Sequence, residues 1–228
     1  MQAMPARALI VATRNRHKVE EIAAILGPNN LCLSLADAPG SPHAVEDSTT
    51  FEGNAVKKAM TLAVWLAANP TAPFWEKAAG LPGFVLADDS GLEVDALDGA
   101  PGVHSARFAA IDAGAPGNSS DAENNAKLVH MLANRGIDHA TARFRCAVAL
   151  TPVHPGATPD EIKSTSRTFS GVCDGHMTLK PHGTGGFGYD PLFIPAGRDE
   201  SFAQLTRDVK NRISHRGKAL EKLKTALA

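Results

Sequence analysis

The chain has 228 residues, 43% of them hydrophobic, which is enough to bury a full core, and its 23 basic against 24 acidic residues leave a formal net charge of -1. With no long run of either sign, it lacks the electrostatic footprint of a duplex-DNA binder or a membrane-surface protein, so an anionic ligand must be met by a local basic cluster. Cys32, Cys146 and Cys173 are widely spaced without zinc or redox spacing and fit a reducing cytoplasm, while the apolar run "ALIVA" is too short for a signal-peptide core or a membrane span.

Residues Arg7 to Thr13 read as a first strand. In "NRHKVEEIAAILG" the residues Val19, Ile22, Ala23, Ile25 and Leu26 recur at helical spacing until Gly27-Pro28 stops them, giving a strand-turn-helix unit. A short strand "LCLSL" and an acidic loop precede a second helix from about Phe51 to Ala68, with Thr50 as its cap. The Pro-rich "NPTAPFWEKAAGLPG" reads as a surface insertion before strand "FVLA". In "SSDAENNAKLVHMLANRG", Ser120 and Glu123 form a capping box and Gly136 ends the helix. "TARFRCAVAL" alternates, with Ala142, Phe144, Cys146, Val148 and Leu150 on one face, and "EIKSTSRTFSGV" is its expected antiparallel partner across the Pro-rich "TPVHPGATPD". Strand "LFIP" and one or two helices from Phe202 finish the chain. Alternating helices and strands with one hairpin predict an α/β protein with a mixed sheet.

Four stretches have the residue types of a reactive site. In "TRNRHK", Thr13, Asn15 and Lys18 sit where a strand turns into a helix, whose free N–H groups and dipole favour an anion; a plain helix cap is the competing reading. No Gly-Lys-Ser/Thr follows, so this is not a Walker loop. The strand "FVLA" runs into Asp88 and Asp89, which with Glu46, Asp47 and Glu52 offer hard oxygens suited to Mg²⁺; a solvated Asx turn at "DDSG" is the alternative. "GTGGFGYDP" combines flexible backbone with the stacking face of Phe187 and the acceptor Asp190, or is simply a flexible turn. In "SHRGKAL", Ser214 caps a final helix whose first turn holds His215, Arg216 and Lys218, unless one helix runs unbroken from Phe202. The histidines show no metal spacing, and no nucleophile elbow is present.

Taken in order, "T-x-N-x-x-K", "TFEGNAVKKA", "ADDSGLEVDALDGAPGVHSAR", "GTGGFGYDP" and "SHRGKAL" resemble the inosine triphosphate pyrophosphatase family over almost the whole chain. The resemblance implies a single domain over residues 1–228 with two lobes around a long mixed β-sheet flanked by helices, an active-site cleft between the lobes, and a homodimer. It implies Mg²⁺-dependent hydrolysis of deaminated purine nucleoside triphosphates (ITP, dITP, XTP) to the monophosphate and pyrophosphate in the cytoplasm, with neither nucleic acid nor membrane as partner.

By the same resemblance, Thr13, Arg14, Asn15, Arg16, His17 and Lys18 hold the triphosphate, Asp89 is the catalytic acid-base residue and a metal ligand, and Ser90 contacts substrate. Phe187, Gly188, Tyr189, Asp190, Lys210, His215 and Arg216 bind the nucleotide, chiefly its base. Glu46 is the second expected metal ligand, ahead of Asp47 and Glu52. The chain departs from the family pattern at Arg14 and Ser48, where Gly is frequent, and at Gly53, where Glu is usual; Pro70 to Pro82 and Pro152 to Asp160 look longer than the family core. A nucleotide-sensing module could dispense with the Asp pair, and a general nucleotide phosphatase would release orthophosphate first.

Overall fold

The computed structural model describes residues 6–114 and 117–227. Strand β1 (Arg7–Val11) leads into helix α1 (Arg16–Leu26) and strand β2 (Asn30–Leu33). Helices α2 (Phe51–Ala68) and α3 (Pro73–Ala78) precede the long strand β3 (Gly83–Val94). After it come α4 (Phe108–Ala113), α5 (Asp121–Asn134), β4 (His139–Val153) and α6 (Pro159–Thr165). Strands β5 (Arg167–Thr178) and β6 (Phe193–Pro195) are followed by helices α7 (Arg207–Ile213) and α8 (His215–Leu227).

Among the described residues the strands form one six-stranded sheet in the order β2-β1-β3-β4-β5-β6. Strand β1 runs parallel to β2 and to β3, with Ala8 opposite Leu31 and Gly83, whereas β5 and β6 are antiparallel. The protein is therefore α/β with a mixed sheet, as the alternation of elements predicts.

The chain divides into two compact units, the first made of the chain through Asp89, Ala147–Ser170 and the segment from Ala219, the second of Ser90–Cys146 and Gly171–Lys218. The first unit buries Leu9, Ile10, Ile22, Leu66, Val85 and Leu223. The second has its own core, in which Leu92, Val94, Leu128, Leu132, Phe193 and Phe202 are closed off from solvent. There Phe144 meets the edge of Phe193 at 4.8 Å and lies stacked with Phe202 at 5.8 Å, an aromatic cluster that fixes the base of β4 and β6.

Several segments differ from the sequence reading, each for a local reason. The Pro-rich stretch is not merely a surface insertion: Pro73 opens α3, where a missing N–H is harmless, and Phe74 is fully buried beside Trp75. Glu161 to Thr165 form no strand, because Thr158 accepts a hydrogen bond from Glu161 N and Pro159 starts helix α6, so β5 begins only at Arg167. Ser214 has extended backbone and its Oγ accepts from Gly217 N at 3.1 Å, which caps a separate final helix and rules out an unbroken one. Along β4 the alternating residues are buried as expected, yet Ala147 and Ala149 are buried too, since this strand lies between β3 and β5 and its later half is covered on both faces. Finally, the strand expected to end at Ala87 continues to Val94, so Asp88 and Asp89 lie inside β3 and not in a turn.

Candidate active site

In the first unit, β3 carries two adjacent carboxylates through an apolar strand, where neighbouring side chains alternate between faces, and each meets its own lysine. Asp88 is 1% exposed, and Lys18 Nζ from α1 lies 3.0 Å from its Oδ2. Asp89 is 7% exposed and accepts from two residues of α2, Lys58 Nζ at 3.1 Å on Oδ1 and Asn54 Nδ2 at 3.1 Å on Oδ2. Asn54 and Lys58 are four residues apart in α2 and so share a helix face. Lys58 also donates to Glu46 Oε2 at 3.0 Å, so one ammonium stands between two carboxylates. Asp47 pairs with Lys57 at the exposed side, which leaves Glu46 as the acidic loop residue joined to Asp89.

Burial pushes the Asp89 carboxyl above the ordinary aspartate range; Lys58, Lys18 and the Asn54 hydrogen bond oppose this without overcoming it. At Lys58 burial works against the ammonium, but the charges of Asp89, Asp88 and Glu46 outweigh it and hold the lysine above its usual value. The two partners therefore do not mirror each other: the carboxylate answers to burial and the lysine to the carboxylates around it. The charged pair is the state that the geometry supports, because an unpartnered buried ammonium would be far costlier.

The residues at the start of α1 separate into two groups. Asn15 Oδ1 accepts from Lys18 N at 3.3 Å and Thr13 Oγ1 accepts from Asn15 N at 3.2 Å, so Asn15 caps the helix. Thr13, Arg14 and Arg16 line a cavity of about 680 Å³ together with Glu20, Ser34 and Ser41, and neither Asp88 nor Asp89 lines it. Arg16 is exposed and paired with Glu20 at 3.0 Å, and His17 is at the surface. Lys18, by contrast, reaches into the first unit's carboxylate pair through its contact with Asp88.

The second unit holds the other nominated residues. Asp190, 3% exposed, accepts from Lys210 Nζ at 2.6 Å and from Phe187 N at 2.8 Å. Gly186 makes this possible: its φ is +74°, and a Cβ there would lie 2.0 Å from Asp190 Oδ2. Lys210 Nζ lies 4.8 Å and Arg216 Cζ 5.6 Å from the Phe187 ring centroid, so two cations lie over one aromatic ring. Arg216, 2% exposed, donates to Ser90 Oγ at 3.0 Å. His215 stacks on Phe144 at 4.7 Å with the rings 10° apart. Tyr189 donates its hydroxyl to Ser105 O at 2.9 Å, and burial drives that phenol well above its usual value.

Asn54 and Lys58 stand inside the quoted "TFEGNAVKKA" without being among the site residues expected from sequence, although two polar residues spaced by four on one helix face are a usable signal. Asp121 and Asn125 were also missed. Gly188 N donates to Asp121 Oδ2 at 2.6 Å and Asn125 Nδ2 donates to Gly188 O at 3.0 Å, so the first turns of α5 grip the glycine loop. Nothing local in the sequence links these residues.

Residues 9–226 match the model of the Ham1 family. The chain belongs to the Ham1 family. It is 47% identical over 220 residues to a dITP/XTP pyrophosphatase of Geobacter sulfurreducens, spanning 96% of both chains, and 43% identical over 215 residues to one of Desulforamulus reducens, spanning 94% and 92%. Among solved structures it resembles a HAM1 protein from Coxiella burnetii with TM-score 0.76 and 31% identity over 97% of this chain and 98% of that one. The Staphylococcus aureus Ham1 protein matches with TM-score 0.72 and 30% identity over the same shares. These Ham1 likenesses agree with the mixed-sheet architecture derived above.

Proposed function

We propose that this Ham1-family chain hydrolyses deaminated purine nucleoside triphosphates, ITP, dITP and XTP, to the monophosphate and pyrophosphate. The observation that carries the reading is the pair Asp88–Asp89, two buried carboxylates on adjacent residues of an apolar strand, each matched to a lysine. Packing alone gives no reason for so costly an arrangement. The names of the relatives from Geobacter and Desulforamulus support it. The same reading makes the chain a cytoplasmic enzyme of the nucleotide pool acting as a homodimer; among the described residues no helix is long and apolar enough to cross a membrane.

The fit of Mg²⁺ is tested by Lys58, whose ammonium lies 3.0 Å from Glu46 Oε2 and 3.1 Å from Asp89 Oδ1 and so marks a point where two hard carboxylates already converge on one cation. Glu46 and Asp89 would hold the ion, which when bound neutralises phosphate charge and lowers the pKa of an attacking water. Asp89, raised by burial, is a better proton acceptor than an exposed aspartate and takes the proton of the nucleophile. Thr13 to Lys18 bind the triphosphate through Thr13, the basic side chains and the N–H groups at the start of α1.

Base selection falls to the second unit. Hypoxanthine and xanthine carry an oxygen at position six where adenine carries an amino group, so the N–H donors of Arg216 and Lys210 suit the first two and face adenine's own donors. Phe187 supplies an aromatic face for the purine, with His215 held in place by Phe144. A panel of ITP, dITP, XTP and ATP is expected to give pyrophosphate from the first three; orthophosphate as the first product would overturn the reaction. Arg216→Ala is expected to lower the ratio of ITP to ATP turnover beyond any common loss of rate. Equal loss on both would move Arg216 to phosphate binding.

A further inference from the structure

We infer that Asn54 is the residue that positions the Asp89 carboxylate, and that Ser48 and Gly53 are a matched pair that keeps Asn54 in place. This rests on the reading of Asp89 as the reacting carboxylate. Asn54 is fully buried in the first turns of α2, and its amide makes three contacts. Its Oδ1 accepts from Ser48 N at 2.9 Å, while its Nδ2 donates to Ser48 O at 3.4 Å and to Asp89 Oδ2 at 3.1 Å. The orientation of the amide is settled by chemistry: a backbone N–H can only donate, so the oxygen must face Ser48 N and the nitrogen is left for the carboxylate. Asn54 thus pins one oxygen of Asp89 and clamps the loop that, two residues earlier, carries Glu46.

Ser48 cannot shift without loosening this clamp, and Gly53 is what lets it sit there. A Cβ at residue 53 would lie 2.0 Å from Ser48 Oγ and 2.8 Å from Ser48 Cβ, and the latter is fixed to the backbone. Ser48 is held further by Thr50, whose N donates to Ser48 Oγ at 3.3 Å while Thr50 Oγ1 caps Gly53 N at 3.1 Å. The serine takes the space that a side chain at 53 would need.

The test uses Asn54→Ala, Gly53→Ala and the double variant Ser48→Gly/Gly53→Ala in the full chain. For Asn54→Ala the expected result is a fall in kcat on ITP of roughly 10–100-fold, the usual range for a partner that orients a ligating carboxylate, with KM changed much less. Binding of Mn²⁺ alone, followed by electron paramagnetic resonance without nucleotide, is expected to weaken, and the Ser48 amide to exchange faster with solvent. Gly53→Ala is expected to lower kcat in the same direction, and Ser48→Gly to restore much of it. A folded Asn54→Ala variant with wild-type kcat and Mn²⁺ affinity would overturn the inference, as would a Gly53→Ala defect that Ser48→Gly leaves untouched. Wild-type protein that releases no pyrophosphate, while Asn54→Ala still weakens Mn²⁺ binding and frees the Ser48 amide, would sink the proposed reaction and support the positioning role.

Discussion

Asp89→Asn is expected to lower pyrophosphate release from ITP by about 10²–10⁴-fold, the range contributed by a positioned acid-base group, while the fold survives. The amide is nearly isosteric with the carboxylate, so the packing of β3 is undisturbed. The hydrogen bonding is disturbed. Asp89 accepts from Lys58 on one oxygen and from Asn54 on the other, and an asparagine offers an acceptor to only one of them while its own NH₂ faces the second donor. Lys58 keeps Glu46 as a partner, so the buried ammonium is not stranded. Steady-state rates with ITP, beside circular dichroism and a thermal melt, check both parts; a near-native rate in the folded variant would remove Asp89 from the chemistry.

The largest stability effect is expected at Asp190. Lys210 and Asp190 are both nearly buried and 2.6 Å apart, and removing one member of such a pair leaves an uncompensated charge in a medium that solvates it poorly. Asp190→Ala is therefore expected to cost about 3–5 kcal/mol, and with it the acceptor for Phe187 N that shapes the glycine loop. At roughly 2–4 °C per kcal/mol for a chain of this size, the melting temperature falls by about 6–20 °C. Adding Lys210→Met removes the stranded charge and is expected to recover part of the loss. A melt unchanged in Asp190→Ala would show that the pair is better solvated than its burial indicates.

Both effects depend on contacts that no local pattern announces. Asp88 and Asp89 are visible at once as an oddity, two acids after an apolar run, yet a solvated Asx turn accounts for them equally well at that level. What decides between turn and buried strand is the arrival of Lys18 from α1 and of Asn54 and Lys58 from α2. In the same way Phe187, Asp190, Lys210 and Arg216 stand out as residue types, but the pairing of Asp190 with Lys210 exists only once the glycine loop before β6 and helix α7 have come together.

By itself the sequence determined what short-range physics controls: the extent of α2 from its Thr50 cap, the Ser120–Glu123 capping box of α5, the alternating first half of β4, and the five motifs that point to the Ham1 family. Helix periodicity and capping involve residues within one or two turns of each other, so they are written in the order of the letters. Only the tertiary structure decided that the Pro-rich stretch buries Phe74, that Glu161 to Thr165 are helical, and that β3 runs on through its acids. Local preference competes there with burial, and a carboxylate can lie inside a strand only when distant lysines and an asparagine replace the water it gives up.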